Sequence, residues 1–173
     1  NKYPSFLKAC LMVAHGGVVN LLHGACIRYA REPTTAFGVP TPYVFDVSVY
    51  NVFASLVVHT GTCKLLQDGL SLALVEYELT RIAVVPSILA AVTLALTIDE
   101  VEVGGEALTQ SAADNVPPGA SLYNYYGPTE ISIWATRKAD WLLLRLASIG
   151  KPLANVTCYV IEAEWSSAEL QPI

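Results

Sequence analysis

The chain has 173 residues, of which 53% are hydrophobic and 14% charged, and its formal net charge is −5. A length of this order fits one sizeable core, and a charged fraction below the roughly 25% of average soluble domains implies that much of the chain is buried. The acidic balance and the scattered basic residues exclude a surface that tracks phosphates along DNA or RNA.

In chain order, Leu11 to Val13 predicts a short strand and Gly17 to Tyr29 a helix, followed by a Pro- and Thr-rich loop from Glu32 to Pro42. Ser48 to Val58 reads as an apolar helix, Cys63 to Leu66 as a strand and Leu70 to Leu79 as a helix. The uncharged run Ile82 to Ile98 falls short of a membrane span and is broken at Pro86-Ser87. It reads instead as a strand over Ile82 to Val85, a proline turn, and a helix carrying Leu89, Val92 and Leu96. Glu100 to Val103 is a strand closing in Gly104-Gly105, where missing side chains let backbone approach a ligand or a neighbouring chain. Ala120 to Tyr126 leads into the densest motif of the sequence, Glu130 to Ala135 continues as strand, and Val156 to Glu162 is a last strand before a weakly patterned tail, Glu164 to Ile173. Strands alternating with helices predict an α/β fold, a layered αβα sheet buried on both faces.

Cys10, Cys26, Cys63 and Cys158 show neither CxxC spacing nor a His at ligand distance, so neither a zinc site nor a disulfide framework is expected. They read as reduced, mostly buried thiols of an intracellular, cytoplasmic protein. His15, His23 and His59 are too dispersed to form a metal site or to suggest a triad, and no GxSxG or GxGxxG motif occurs. The start, Asn1-Lys2-Tyr3-Pro4, has no initiator Met and no signal pattern, which suggests a piece of a longer polypeptide.

The densest motif is Asn124-Tyr125-Tyr126-Gly127-Pro128-Thr129-Glu130. It places a flat ring that can cover a purine, a turn that re-aims the chain, a hydroxyl that can donate to a phosphate oxygen and a carboxylate that can hold Mg²⁺ within seven residues. A strand running into a solvated turn is the plain alternative. Asp46 stands in the apolar stretch Tyr43 to Val52, where a buried carboxylate needs a cationic partner; capping a helix that starts at Val47 is the other job open to it.

NYYGPTE closely resembles the NxYGPTE motif of the adenylation domains of nonribosomal peptide synthetases, amino-acid-activating members of the AMP-forming acyl-adenylate ligases. Further segments are similar to that family in the same order. They are Met12 to Leu22 (VxHxGVVNLL), Phe45 to Tyr50 (FDxSVW), Val85 to Leu89 (TPSLL), Val103 to Leu108 (VGGEAL) and Ser148 to Asn155 (IGRPIAN). The resemblance implies the large N-terminal part of an AMP-forming adenylating enzyme, with residues 1–173 as a partial AMP-binding domain. It implies ATP or AMP with adenine between the Gly104-Gly105 backbone and Tyr126, Asn124 at the exocyclic amine, Thr129 at the α-phosphate and Glu130 at Mg²⁺. Thr129 and Glu130 are thus the expected catalytic pair. Asp46 is expected at the ammonium of an α-amino acid. The pocket for its side chain is expected from Val47, Tyr50, Ala83, Glu102, Gly104, Tyr125, Ile133 and Trp134. Three large aromatic residues in that set favour a small side chain, and the set partly resembles pockets for glycine and cysteine. Glu102 departs from the apolar residue usual there and, pointing inward, would favour a polar or cationic group.

The chain also departs from the family elsewhere. The segment Tyr3 to Cys10 keeps Lys8 but lacks the glycines of a phosphate-binding loop. The ribose-binding region and the small C-terminal lid with its lysine have no counterpart, and Trp141 to Leu144 is an unfamiliar apolar insert. The implied function is conversion of an amino acid and ATP to aminoacyl-AMP, then loading of the phosphopantetheine thiol of a partner carrier domain. The isolated chain is expected to be inactive and prone to aggregate. A degenerate, non-catalytic interaction module and an acyl- or aryl-CoA ligase relative are the alternatives, the latter disfavoured by Asp46.

Overall fold

The computed structural model describes residues 12–28, 36–58, 61–66, 78–139, 148–160 and 171–172. Helix α1 (His15–Arg28) precedes strand β1 (Ala36–Val39), and α2 (Val47–Phe53) runs on into a π-helical turn, Ala54–Val58. There follow β2 (Thr62–Leu65), β3 (Arg81–Val84), α3 (Pro86–Leu89), β4 (Glu100–Gly104), α4 (Gln110–Asp114), β5 (Ser121–Tyr126), β6 (Thr136–Ala139) and β7 (Lys151–Pro152). These strands form one seven-stranded sheet in the order β2-β1-β3-β4-β5-β6-β7. Pairing is parallel from β2 through β5 and antiparallel from β5 to β7. Strands β8 (Tyr159–Val160) and β9 (Gln171–Pro172) pair separately.

A parallel sheet needs cover on both faces, so its strands become continuous apolar runs. Every residue of β1, β3 and β4 is buried accordingly. Ile82, Val84, Val101, Val103 and Leu122 pack with Leu89, Leu94, Ile98, Leu108 and Ala112 on one face. On the other, Tyr125 and Trp134 pack with Leu21 and Ala25 of α1 and with Tyr50, Ala54 and Val58 of the second helix. Three charged side chains enter this interior, Glu102 and a pair: Arg81 and Glu100 are register partners on β3 and β4, 3.2 Å apart and both nearly inaccessible.

Several expectations need correction. The predicted loop from 32 to 42 contains β1, because Ala36-Phe37-Gly38-Val39 is a short apolar run that the sheet buries completely between β2 and β3. Residues 12–14 form no strand; they are exposed and lead into α1, which starts at His15. The helix expected to reach Leu96 stops at Leu89, because the Asn115 amide donates to the carbonyls of Leu89 and Ala90, both at 3.0 Å, and so occupies acceptors the next turn would need. The strand expected over Glu130 to Ala135 is a series of tight turns, with Ile131 N–H bonded to Pro128 O and Trp134 N–H to Ser132 O. The last strand covers only Tyr159–Val160 among the described residues, since Val156 turns back to bond Leu153 O. Most of the expected helix from Leu70 lies outside the described residues, and Glu78 and Leu79 are not helical. Cys26 is exposed, not buried, because α1 turns its Leu21 and Ala25 stripe inward and the next position out; Cys63 and Cys158 are half-buried, and all three are free thiols. Cys10, Lys8 and Trp141 to Leu144 lie outside the described residues. No helix among the described residues is long and apolar enough to cross a membrane.

Candidate functional site

The sheet order turns around at β1. From β1 the chain goes to β2 on one side, and from β2 it crosses to β3 on the other side. Ligands of open α/β sheets bind beyond the carboxyl ends of the strands at such a reversal. The motif residues collect there. Residues 40–46 leave the end of β1 and carry Asp46 to the start of α2, Ala83 lies near the end of β3, Glu102 and Gly104 on β4, and Asn124 to Glu130 close β5.

A cavity of about 30 Å³ opens under this edge. Val47, Ala83, Glu102, Gly104 and Trp134 line it, as expected, joined by Thr41 and Phe45, which sequence reasoning did not place there. Phe45 stood inside a recognised segment, whereas Thr41 carried no signal. Asp46 lies between two wall residues, Phe45 and Val47, with an exposed side chain that makes no capping hydrogen bond to α2. The capping alternative is therefore not what the side chain does.

Tyr50 and Tyr125 stand behind the wall. Their hydroxyls donate to Oε1 of the buried Glu102, at 3.4 and 3.1 Å. The Tyr125 ring stacks obliquely on Tyr50 and on Trp134, with centroids 6.4 and 5.4 Å away. Ile133 is buried in this aromatic cluster rather than on the cavity wall, at φ 64°. A β-branched residue in the left-handed region costs on the order of 1–3 kcal/mol. The surrounding turn holds it: a Cβ on Gly127 would lie 2.0 Å from Ile133 O, so only glycine lets residues 131–134 fold beneath the heptad. Gly104 shows a second close approach, since a Cβ there would lie 2.5 Å from Trp134 Cη2. Trp134 thus caps Gly104. The backbone left open to a ligand is that of the exposed Gly105, at φ 83°.

Pleating turns Asn124 and Tyr126 to the face opposite Tyr125. Tyr126 is 45% exposed. The Asn124 amide donates to Ser148 O at 3.3 Å, which leaves its Oδ1 as an acceptor of the kind an exocyclic amine needs. Thr129 and Glu130 are exposed in the turn beyond the strand. Glu106, which sequence reasoning gave no role, accepts from Ser87 N and Oγ at 3.0 and 3.1 Å and ties the Gly104-Gly105 turn to the start of α3. Among the described residues no cluster of three or more His, Cys, Asp or Glu is arranged to hold a metal. A larger cavity of about 380 Å³ lies behind Trp134 and Tyr125, between α1 and residues 153–157.

The sequence profile described as AMP-binding enzyme matches residues 8–170. The chain belongs to that family. Its relatives include tyrocidine synthase 3 of Brevibacillus parabrevis, 30% identical over 94% of this chain and 3% of that protein. Phosphinothricin tripeptide synthetase PhsB of Streptomyces viridochromogenes is 33% identical over 87% of this chain and 14% of its own length. Among solved structures, the AMPPNP-bound form of the nonribosomal peptide synthetase FmoA3 superposes with a TM-score of 0.70 at 24% identity, over 87% of this chain and 18% of that one. The chain therefore spans a small part of the proteins it matches, and the AMP-binding fold is what it shares with FmoA3.

Proposed function

We propose that this chain is the core of an adenylation domain that, within a nonribosomal peptide synthetase, converts an α-amino acid and ATP to aminoacyl-AMP and pyrophosphate. The observation that carries this reading is the juxtaposition of two unlike half-sites at one sheet edge. A small pocket with the uncapped carboxylate of Asp46 beside it lies on the Tyr125 face, Asn124 and Tyr126 point to the other, and Thr129 and Glu130 are exposed in the turn beyond β5. Family membership and the AMPPNP-bound neighbour support a nucleotide on this open strip.

In this reading Asp46 pairs with the substrate ammonium, and the side chain enters the pocket walled by Val47, Ala83, Glu102, Gly104 and Trp134, with Tyr50, Tyr125 and Ile133 packed behind that wall. Adenine lies against the Gly104-Gly105 turn and the Tyr126 ring, donating its amine to Asn124 Oδ1. Thr129 donates to the α-phosphate, and Glu130 holds Mg²⁺, which when bound neutralises charge on the phosphates. The substrate carboxylate, already ionised at neutral pH, forms a bond to the α-phosphorus as the bond to pyrophosphate breaks. No general base is required. The work of the chain is positioning and charge placement. The aminoacyl group then passes to a carrier-domain thiol. Residues 1–173, taken as a partial domain, are proposed to need the rest of the protein for turnover, because the chain spans only a small part of the length of its relatives.

Amino-acid-dependent ATP–pyrophosphate exchange by the full-length protein that carries this chain tests the reading. Exchange with at least one α-amino acid, lost in Asp46→Ala, is expected. A correctly folded protein that exchanges with none would leave the non-catalytic alternative, and exchange driven by fatty or aryl acids and indifferent to Asp46→Ala would favour the CoA-ligase alternative.

A further inference from the structure

Two cavities flank the aromatic cluster, and among the described residues Trp134 alone lines both. The smaller, of about 30 Å³, is the pocket beside Asp46. A water needs about 10–15 Å³ on this scale, so that pocket holds one or two heavy atoms. The larger, of about 380 Å³, is an order of magnitude roomier. Leu21, Ala25, Leu153 and Val156 give it apolar walls. Two of its amides are engaged with their own surroundings: Asn20 Nδ2 donates to Ala154 O at 2.9 Å, and Asn155 Nδ2 donates to Asn20 Oδ1 at 2.7 Å. Trp134 has a neighbour from each cavity. The Cη2–Cζ3 edge of its indole sits over Gly104 of the small pocket, where a Cβ would come within 2.5 and 2.7 Å. Its ring stacks obliquely on Tyr125 of the large cavity, with centroids 5.4 Å apart, in one packed cluster with Leu21 and Ala25.

We propose that Trp134 is the partition that sets substrate size: it holds the amino acid to a side chain of one or two heavy atoms and shuts off a second, apolar compartment large enough for an aromatic one. The inference rests on the adenylation reading above and deepens it, giving the small pocket its limit and the large cavity a use. The rest of the small pocket's wall comes from β3, β4 and the segment leading into α2, and none of it lines the larger cavity. Trimming any of those residues therefore enlarges the pocket only by the atoms removed. Removing the indole joins 30 Å³ to 380 Å³.

The test compares alanine with phenylalanine in ATP–pyrophosphate exchange by the full-length protein that carries this chain. In the unmodified protein alanine is expected to exceed phenylalanine by at least about 100-fold in kcat/KM, since a single surplus methylene already costs about 10- to 200-fold. In Trp134→Ala that ratio is expected to fall at least about 10-fold. Trp134→Leu, which shortens the side chain but keeps it apolar, is made alongside because the hole left by alanine can cost the protein its fold. Ala25→Phe then fills the large cavity from α1. Alone it is expected to leave selection unchanged, and combined with either Trp134 variant it is expected to take the gain away. Equal use of alanine and phenylalanine by the unmodified protein, or a gain that survives Ala25→Phe, overturns the partition while leaving amino-acid activation standing. Should neither Trp134 variant fold, Ala25→Phe alone decides, because a shut compartment cannot be felt from the substrate side: altered selection overturns the inference and unaltered selection upholds it. If no amino acid supports exchange, the activation reading falls, and binding of the non-hydrolysable alanyl and phenylalanyl sulfamoyladenosines to the same proteins decides the partition by itself. A shift toward the phenylalanyl compound in the Trp134 variants, cancelled by Ala25→Phe, upholds it, and an unchanged order removes it.

Discussion

The two halves of the proposed site share the ends of β4 and β5 yet are built by opposite means. On the Tyr125 face, packing makes the pocket: Glu102, Gly104 and Trp134 are buried, and each position is fixed by a neighbour it touches. At the end of β5 and in the turn beyond it, Tyr126, Thr129 and Glu130 are exposed and held chiefly by the backbone that carries them. The pocket is thus a property of the core, specified by the same contacts that stabilise the sheet. The open strip is a property of backbone direction at a strand end, and its side chains contribute little to folding. Changes in the pocket should therefore move stability and selectivity together. Changes in the strip should move ligand affinity alone.

The largest expected effect is on the pocket face, where Glu100 lies two residues before Glu102. Glu100→Ala leaves Arg81 buried without its 3.2 Å partner, and breaking such a pair costs about 3–5 kcal/mol; thermal melting of the full-length protein should show it. A melt unchanged in Glu100→Ala would break the claim that this face is a stability element. Next, Asp46→Ala should lower kcat/KM for the amino acid at least about 100-fold, in the range for losing one partner of a desolvated charge pair, while the KM for ATP and the melting temperature stay put. Asp46, exposed yet proposed to serve the buried side, is the exception that sharpens the contrast. Tyr126→Ala should raise the KM for ATP by about 5- to 150-fold, the equivalent of the roughly 1–3 kcal/mol typical of a base stacked on an aromatic ring. Selection among amino acids should not change; a shift in selectivity would mean that the two faces are coupled. The smallest effect is a control away from both halves. Thr109 caps α4 by accepting from Ala112 N at 3.3 Å, so Thr109→Ala should cost about 1 kcal/mol with both KM values unchanged.

Legibility from sequence followed the same division. Strand β3 announces itself as the apolar run Ile82 to Val85 ending at Pro86, and β4 and β5 run into the Gly104-Gly105 and Tyr126-Gly127-Pro128 segments, which could be read directly. Strand β1 could not, because Ala36 to Val39 is four residues flanked by threonines and Pro40, and its burial comes from neighbours distant in sequence. That omission hid why Asp46 is where it is: the chain leaves β1 at the point of reversal and reaches α2 beside the ends of β3 and β4. The turn from Glu130 to Ala135 was also unreadable as such. Ile131 and Ile133 alternate like a strand, and the turn that replaces it depends on a close approach of Gly127 to Ile133 O, with Ile133 at a positive φ, that no local pattern signals. Glu102 stood out as a carboxylate in an apolar place, but which hydroxyls meet it depended on the packing of α2 against the sheet.

Trp134 and Gly104 interlock so closely that neither can drift alone. Enlarging residue 104 first drives a side chain into the indole and passes through an overpacked protein; trimming residue 134 first passes through one with a hole beside the aromatic cluster. Trimming residue 134 does not by itself make room at residue 104, because a Cβ there would also lie 2.7 Å from the carbonyl oxygen of Tyr125. Any lineage or engineering campaign that widens this pocket therefore works through residue 134 and keeps glycine at 104.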